Sequence, residues 1–189
     1  MNDLEKRYLL VILILIISNS MMLYSFYKSR YEEKKKSRQG SYLNNQKFWT
    51  VLNREGALVN IKEIIKHKPL SLIIMFSLKS CPACMHERLI WNELSKIKNL
   101  NVVGVLNENR TIENEAWISN LGLEFPSYYD TSGYIERIQK ELNESHTPLK
   151  ILTDSTGRVL SYDGPHANIS EQYEWFNIIK NEFILPKKE

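Results

Sequence analysis

The sequence predicts an α/β fold in which a mixed β-sheet is flanked by helices, and three observations support this prediction. Apolar segments alternate between strand-like and helix-like patterns from residue 46 onward. The only two cysteines of the chain, Cys81 and Cys84, stand between a predicted buried strand and a predicted helix. An uncharged stretch, residues 8–27, precedes this pattern and predicts a separate N-terminal helix.

The first 45 residues predict a membrane anchor and a spacer rather than part of the folded domain. After a short flank, residues 1–7, the stretch 8–27 contains no charged side chain and matches the roughly 20 residues that cross a bilayer core as a helix. A cleaved signal peptide is the alternative. The apolar run continues past Ser18 and Ser20, which favours an uncleaved anchor. Residues 28–45 are charged and polar and are expected to form a linker.

Two arguments about the orientation of this predicted anchor conflict. Basic residues are more numerous after the span than before it, so the positive-inside rule would place the following domain in the cytoplasm. A tethered dithiol protein, by contrast, serves compartments in which disulfides form and persist. We expect the second argument to hold, with a single-pass anchor in the cell membrane and an extracytoplasmic domain.

Residues 46–189 are expected to fold as one domain, since this length is sufficient for a substantial core. The formal net charge of the whole chain is +3, and its basic residues are dispersed along the sequence. This distribution does not favour nucleic-acid binding, because a nucleic-acid site needs clustered positive charge.

The first half of this domain is predicted to form a hairpin, a short helix, a buried strand and a long helix. The turn signal Asn53-Arg54-Glu55-Gly56 between two apolar runs predicts the N-terminal hairpin. An uninterrupted apolar run predicts the buried central strand, and the periodicity that begins at the cysteines predicts the long helix. The predicted ranges are 48–52 and 57–61 for the hairpin strands, 61–66 for the short helix, 71–77 for the central strand and 81–98 for the long helix.

The second half repeats the alternation and ends with a hairpin and a helix. Val102-Val103-Gly104-Val105 is typical of a buried strand, and Asp154-Ser155-Thr156-Gly157 is a clear turn signal. An amphipathic pattern follows that turn and predicts the last helix. The predicted ranges are strands at 101–106, 125–128, 149–153 and 159–163, and helices at 112–121, 134–142 and 169–183.

The motif Cys81-Pro82-Ala83-Cys84 is the candidate reactive site. Its spacing is suited to a small disulfide ring on one turn of helix. At a helix N-terminus the unpaired backbone N–H groups and the helix dipole favour a thiolate. Cys81 is therefore predicted to be the nucleophile and Cys84 the resolving thiol. Pro82 suits the first helical turn, where its missing N–H costs nothing.

Other chemistries of a cysteine pair were compared with this prediction. Haem attachment requires a histidine directly after the second cysteine, and Met85 stands there. Structural zinc requires four ligands, and the chain has no second cysteine pair. A pair of buried, inert thiols remains open. Copper handling also remains open, because soft thiolates select Cu(I) and because Met85, His86 and Met75 are close in sequence.

Four features carry a family resemblance: the strand followed by C-P-A-C, the hairpin before it, the Thr147-Pro148 step, and the turn at 154–159. On these features, over about residues 48–183, the chain resembles the thioredoxin superfamily and, within it, the membrane-tethered TlpA/ResA-like thiol–disulfide oxidoreductases. The resemblance implies an enzyme without a bound cofactor that exchanges a dithiol or disulfide with protein cysteines. It also implies an upstream membrane electron donor, and it suggests cytochrome c maturation or disulfide reduction as pathways.

The same resemblance assigns roles to three further residues. It implies that the Thr147–Pro148 peptide bond is cis and that the neighbouring backbone pairs with a substrate chain. It also implies that Glu87, three residues after Cys84 and on the same helix face, accepts or supplies the proton of Cys84. A solvated glutamate on an exposed helix face is the alternative for Glu87.

The departures from the family pattern predict a specialised protein. Met75 stands where thioredoxin carries a buried aspartate, and Ser80 replaces the tryptophan that commonly precedes the first cysteine. Leu78 occupies the position at which peroxiredoxins place a threonine or serine, so peroxide reduction is not expected. His146 could line the active-site groove but is expected to be an ordinary loop residue, and His166 is given no role.

Overall fold

The computed structural model describes residue 12 and residues 16–25, 49–78, 81–166 and 168–184. The chain divides into two compact units, Met1–Gln39 and Gly40–Glu189. In the first unit, residue 12 and residues 16–25 are helical and are called α1. No helix within the described residues combines the length and the apolar character that crossing a bilayer requires. Much of the predicted anchor, and all of the predicted flank and linker, lie outside the described residues and remain predictions.

The second unit has the predicted order of strands and helices. The described elements are β1 (Thr50–Leu52), β2 (Leu58–Asn60), α2 (Ile61–Ile65), β3 (Leu70–Phe76), α3 (Pro82–Ser95), β4 (Leu100–Leu106), α4 (Ile112–Leu121), β5 (Ser127–Asp130), α5 (Tyr134–Glu141), β6 (Leu149–Asp154), β7 (Val159–Asp163) and α6 (Ile169–Ile179). A π-helical turn, Lys180–Ile184, follows α6 where the sequence predicted one continuous helix. Strand β5 lies two residues later than the predicted 125–128.

The seven strands form one mixed sheet in the order β2-β1-β5-β4-β3-β6-β7. Strand β3 pairs in parallel with β4 and antiparallel with β6, so it lies near the centre of the sheet. The hairpin β1–β2 joins the sheet through an antiparallel pairing of β1 with β5. The predicted N-terminal hairpin and mixed sheet are therefore confirmed.

Helices cover both faces of the sheet because the side chains of its central strand alternate between two apolar clusters. Leu72, Ile74 and Phe76 of β3 pack in the cluster that includes side chains of α3, α4 and α6. Ile73 and Met75 pack on the opposite face with side chains of α2 and α5. The apolar run that predicted a buried strand thus serves two cores, and its C-terminal end leads directly to the cysteine motif.

Candidate active site

Cys81 and Cys84 are joined by a disulfide, and their Cα atoms lie 5.3 Å apart. Cys81 is the N-cap residue of α3, and the backbone N–H of Cys84 donates to the carbonyl oxygen of Cys81 at 3.1 Å. Cys81 is 8% exposed and Cys84 2% exposed, so Cys81 is the more accessible of the two. The arrangement places the predicted nucleophile at the helix N-terminus, where a thiolate is favoured.

Hydrogen bonds to the side chain of Glu108 stabilise the loop between β3 and α3. Glu108, which follows β4, accepts the backbone N–H of Leu78 at 2.9 Å through Oε1. The hydroxyl of Ser77 donates to the same oxygen. Glu108 thereby fixes the path of the chain just before the cysteines. The prediction made from Ser80 lies outside the described residues.

The Thr147–Pro148 peptide bond is cis, as the resemblance implied. Pro148 directly precedes β6, and Leu149 at the start of β6 pairs with Met75 near the end of β3. Because these strands are antiparallel, the proline lies at the edge of the sheet from which the chain continues to Cys81. The substrate-binding role predicted for Thr147 and Pro148 remains a prediction.

Glu87 is buried, with 2% of its surface exposed, so the solvated alternative considered for this residue is wrong. Its Oε2 atom lies 2.7 Å from Nζ of Lys150, and its Oε1 atom accepts the backbone N–H of His166 at 3.3 Å. Burial raises the pKa of the Glu87 carboxyl, because removal from water disfavours the charged form. The positive charge of Lys150 opposes this shift.

Lys150 belongs to this buried group and was not predicted from the sequence. It lies in β6 with 1% of its surface exposed, and its Nζ atom is 3.4 Å from Oδ2 of Asp163. The same ammonium lies 5.6 Å from the ring centroid of Trp175 in α6, a distance typical of a cation–π contact. One signal in the sequence could have identified Lys150, because it is a single lysine among the apolar residues Leu149, Ile151 and Leu152 of a predicted buried strand. A buried cation needs a partner, so this pattern predicts a buried acid nearby.

Asp163 and His166 extend this group toward the surface. Asp163 ends β7 and is the cross-strand neighbour of Lys150. The Nε2 atom of His166 is hydrogen-bonded to Oδ2 of Asp163, and its Nδ1 atom lies 3.6 Å from Oε2 of Glu171. The hydrogen bond to Asp163 raises the pKa of the His166 imidazole above its ordinary value. No local pattern in the sequence linked these residues, because their contacts depend on the β6–β7 register.

The buried part of this group carries an imbalance of charge. Lys150 supplies one positive charge, whereas Glu87 and Asp163 supply two negative charges when both are ionised. A net charge on a group buried away from water is costly. One additional proton, on a carboxyl or on His166, makes the group neutral.

The residues that suggested copper do not gather around the sulfur atoms. Met75 packs in the cluster of α2 and α5, on the opposite face of the sheet from the cluster that holds Cys81 and Cys84. Met85 is an exposed side chain of α3, and His86 beside it is also exposed. The buried polar pair that joins α3, the helix of Cys84, to β6 is instead the carboxylate of Glu87 and the ammonium of Lys150.

Comparisons with known proteins found similarity only at the level of structure. No family model matches the sequence, and no curated protein matches it. A thiol:disulfide interchange protein from Bacteroides sp. superposes with a TM-score of 0.61 at 18% identity, covering 80% of this chain and 93% of that chain. The thioredoxin domain of a thiol-disulfide oxidoreductase from Bacteroides vulgatus gives 0.56 at 18%, covering 73% and 96%. A secreted disulfide oxidoreductase of Mycobacterium tuberculosis, homologous to E. coli DsbE, gives 0.53 at 14%, covering 69% and 96%.

These superpositions define the class of fold. The chain has the thioredoxin-like fold, with a Cys-x-x-Cys disulfide at the start of α3 and a cis-proline before β6. The fold implied by the resemblance is confirmed. At these levels of identity the likeness describes the fold alone.

Proposed function

We propose that this protein is a thiol–disulfide oxidoreductase that exchanges the Cys81–Cys84 pair with cysteines of other proteins. The observation that carries the proposal is the disulfide at the N-terminus of α3, one helical turn from a buried carboxyl that is paired with Lys150. The names of the superposed structures, which include an interchange protein and two oxidoreductases, support the same chemistry.

In the reducing direction, the thiolate of Cys81 attacks one sulfur of a substrate disulfide. A bond forms between Cys81 and the substrate, and the other substrate sulfur leaves as a thiolate. Cys84 then loses its proton and attacks the sulfur of Cys81, which releases the second substrate thiolate. The protein gives two electrons to the substrate and is left with the Cys81–Cys84 disulfide. The reverse sequence oxidises a substrate dithiol.

Glu87 is proposed to take the proton of Cys84 in this sequence and to return it in the reverse direction. Cys84 is nearly enclosed, so water has little access to its sulfur. Glu87 lies three residues further along α3, on the same face of the helix. Burial raises the pKa of its carboxyl, which favours the protonated form and suits a group that both accepts and donates a proton.

The backbone beside Thr147 and Pro148 is proposed to pair with the substrate chain next to its disulfide. We further propose that residues 8–27 anchor the protein in the cell membrane, that the domain is extracytoplasmic, and that a membrane-bound donor restores the dithiol. Cytochrome c maturation and disulfide repair are the two pathways that the resemblance suggests for such a tethered reductase. The uncharged N-terminal stretch supports the anchor.

Trapping of mixed disulfides tests the proposed exchange. In Cys84→Ala, Cys81 can attack a substrate but nothing releases the adduct, so covalent complexes should accumulate and disappear on treatment with a reducing agent. Cys81→Ala is the matched control, because it keeps one cysteine but removes the nucleophile. Absence of adducts specific to Cys84→Ala, in cells that express the full chain, would contradict the proposed exchange.

Protease accessibility tests the proposed location. With the full chain in intact spheroplasts, an extracytoplasmic domain should be digested by added protease, whereas a cytoplasmic control protein should survive. Protection of the domain until the membrane is lysed would overturn the proposed location and leave the thiol chemistry untouched.

A further inference from the structure

We propose that His166 is a positioning residue that controls the ionisation of Glu87 and thereby sets the pH dependence of exchange at Cys84. This inference rests on the proposed function. Its basis is a continuous chain of contacts from Glu87 through Lys150 and Asp163 to His166, together with a direct bond from the backbone N–H of His166 to Glu87.

The chain of contacts runs from an enclosed end to an accessible end. Glu87 and Lys150 are almost fully buried, whereas the side chain of His166 is 17% exposed. His166 is therefore the member of the group that exchanges protons with water most readily. Because its backbone bonds to one carboxylate oxygen of Glu87 and its ring bonds to Asp163, this residue also fixes the geometry of both acids.

The charge of the group explains why its members titrate together. Lys150, Glu87 and Asp163 sum to one negative charge when ionised, so a single added proton neutralises them. That proton resides either on Glu87 or on His166. Protonation of one of these residues disfavours protonation of the other, because the group is then already neutral. Protonated His166 thus keeps Glu87 ionised and ready to accept a proton from Cys84.

Two further carboxylates lie near this group, one beside His166 and one beside Gly164. Glu171 of α6 lies 3.6 Å from Nδ1 and is half-exposed, so it favours the protonated imidazole through water-screened attraction. Glu144, before β6, approaches the backbone of Gly164, at 3.6 Å from the position that a Cβ would occupy there. Both are carboxylates, so each carries a negative charge when it is ionised.

The proton balance of the exchange follows from this coupling. When Cys84 transfers its proton to Glu87, the group holds two protons and carries one positive charge. His166 then releases its proton to water, and the group returns to neutrality. Cys84 meanwhile bonds to Cys81, and the electron pair of the broken mixed disulfide leaves on the substrate thiolate. The reverse reaction takes a proton from water at His166.

The pH dependence of disulfide reduction tests this inference on the full chain. Dithiothreitol is the probe, and tryptophan fluorescence follows its reaction with the Cys81–Cys84 disulfide, because Trp91 packs in the same cluster as both cysteines. Rates from pH 5 to pH 9 are divided by the thiolate fraction of dithiothreitol. The pH dependence that remains in the normalised rate follows the fraction of Glu87 that is protonated. This fraction matters because the Glu87 carboxyl donates its proton to the sulfur of Cys84 as that sulfur leaves the disulfide.

Two substitutions should move this profile in opposite directions. In His166→Asn, the proton that neutralises the group can be held only by Glu87. The pH at which the normalised rate falls to half should therefore rise by about one unit. Between the two midpoints, the normalised rates of the variant and the wild type should differ by about tenfold. Asp163→Asn removes one of the two negative charges of the group, so the pH at which the normalised rate falls to half should decrease. His67→Gln is the control: His67 is exposed and precedes β3, at the opposite end of that strand from the cysteines.

The double variant Glu87→Gln/His166→Asn separates positioning from general structural damage. If His166 acts through Glu87, His166→Asn should leave the profile unchanged in the Glu87→Gln background. A His166→Asn profile that superposes on that of the wild type, or one lowered equally at every pH, would overturn the inference. A wild-type disulfide that dithiothreitol does not reduce would instead refute the proposed function.

Discussion

Lys150 and Glu87 form a buried ion pair, with 2.7 Å between Nζ and Oε2, across 63 positions of sequence. The pair connects the helix that begins at the cysteines to the strand that follows the cis-proline. It therefore ties the helix that carries Cys84 to the sheet. Replacing one partner of such a pair leaves the other charge buried without its partner. The free energy of unfolding then decreases by a measurable amount.

Lys150→Met should destabilise the protein and raise the pKa of Glu87 further, because the charge that opposes the effect of burial is removed. We expect a loss of about 3–5 kcal/mol in the free energy of unfolding at pH 7, measured with urea. The loss should be smaller at pH 5 than at pH 7, because a lower pH favours the neutral form of the Glu87 carboxyl. Lys96→Met is the control, since Lys96 is 64% exposed and should change stability by less than about 0.5 kcal/mol. An equal loss at both pH values would contradict the assignment.

Glu87→Gln should slow thiol–disulfide exchange and flatten its pH dependence, because the amide neither accepts nor donates the proton of Cys84. Loss of general acid–base catalysis predicts a decrease of roughly 10²-fold in the normalised rate of reduction by dithiothreitol. Glu93→Gln, on the exposed surface of the same helix, should react like the wild type. A Glu87→Gln protein with a wild-type profile would show that another group handles the proton.

The stability of the protein should depend on the ionisation of His166. Its pKa is raised in the folded state by the hydrogen bond to Asp163, so folding is favoured when the imidazole is protonated. This contribution is complete below the ordinary histidine pKa of about 6.5 and is lost as the pH rises through the folded-state value. Urea unfolding of His166→Asn across this window should lack that part of the decline. A difference from the wild type that stays constant with pH would contradict the prediction.

Gly104→Ala should destabilise the sheet where β4 pairs with β3 and β5. A Cβ at Gly104 would lie 3.0 Å from Oγ of Ser127 and 3.1 Å from Cε1 of Phe76, both closer than side-chain packing normally allows. Overpacking of this kind costs about 1–3 kcal/mol. Gly164→Ala is the control, because its Cβ would meet only Glu144 at an ordinary contact distance of 3.6 Å. Equal free energies of unfolding for the two variants, measured with urea, would contradict this prediction. They would show that β4 and β5 move apart at little cost to accommodate the added Cβ.

The elements of the second unit were predictable because their signals are local. Apolar periodicity identified β3 and α3, and turn residues such as Gly56 and Gly157, both at positive φ in the structure, marked the hairpins. The place of the cysteines at the start of α3 followed from the same patterns. Only the ends of elements differ, as in the π-helical turn after α6, where helical periodicity alone does not distinguish the two hydrogen-bond patterns.

The surroundings of the disulfide were less predictable because they depend on contacts between distant segments. The sequence analysis selected Glu87 through a resemblance, but it left open whether that side chain was buried. Lys150 reaches Glu87 because β6 pairs with β3, and Asp163 reaches Lys150 because of the β6–β7 register. Neither register is encoded in a short motif, so His166, which contacts Asp163, also received no role.

The margins of the sheet have a consequence for how the protein meets other chains. One outer strand, β2, has three residues, and the other, β7, has five and pairs with β6 through a register irregularity at Leu152 and Thr153. Short or irregular margins give an added strand few backbone groups to pair with, and this limits edge-to-edge aggregation. A protein with the proposed function, which binds segments of other polypeptides repeatedly, would thereby be protected against polymerising through its own sheet.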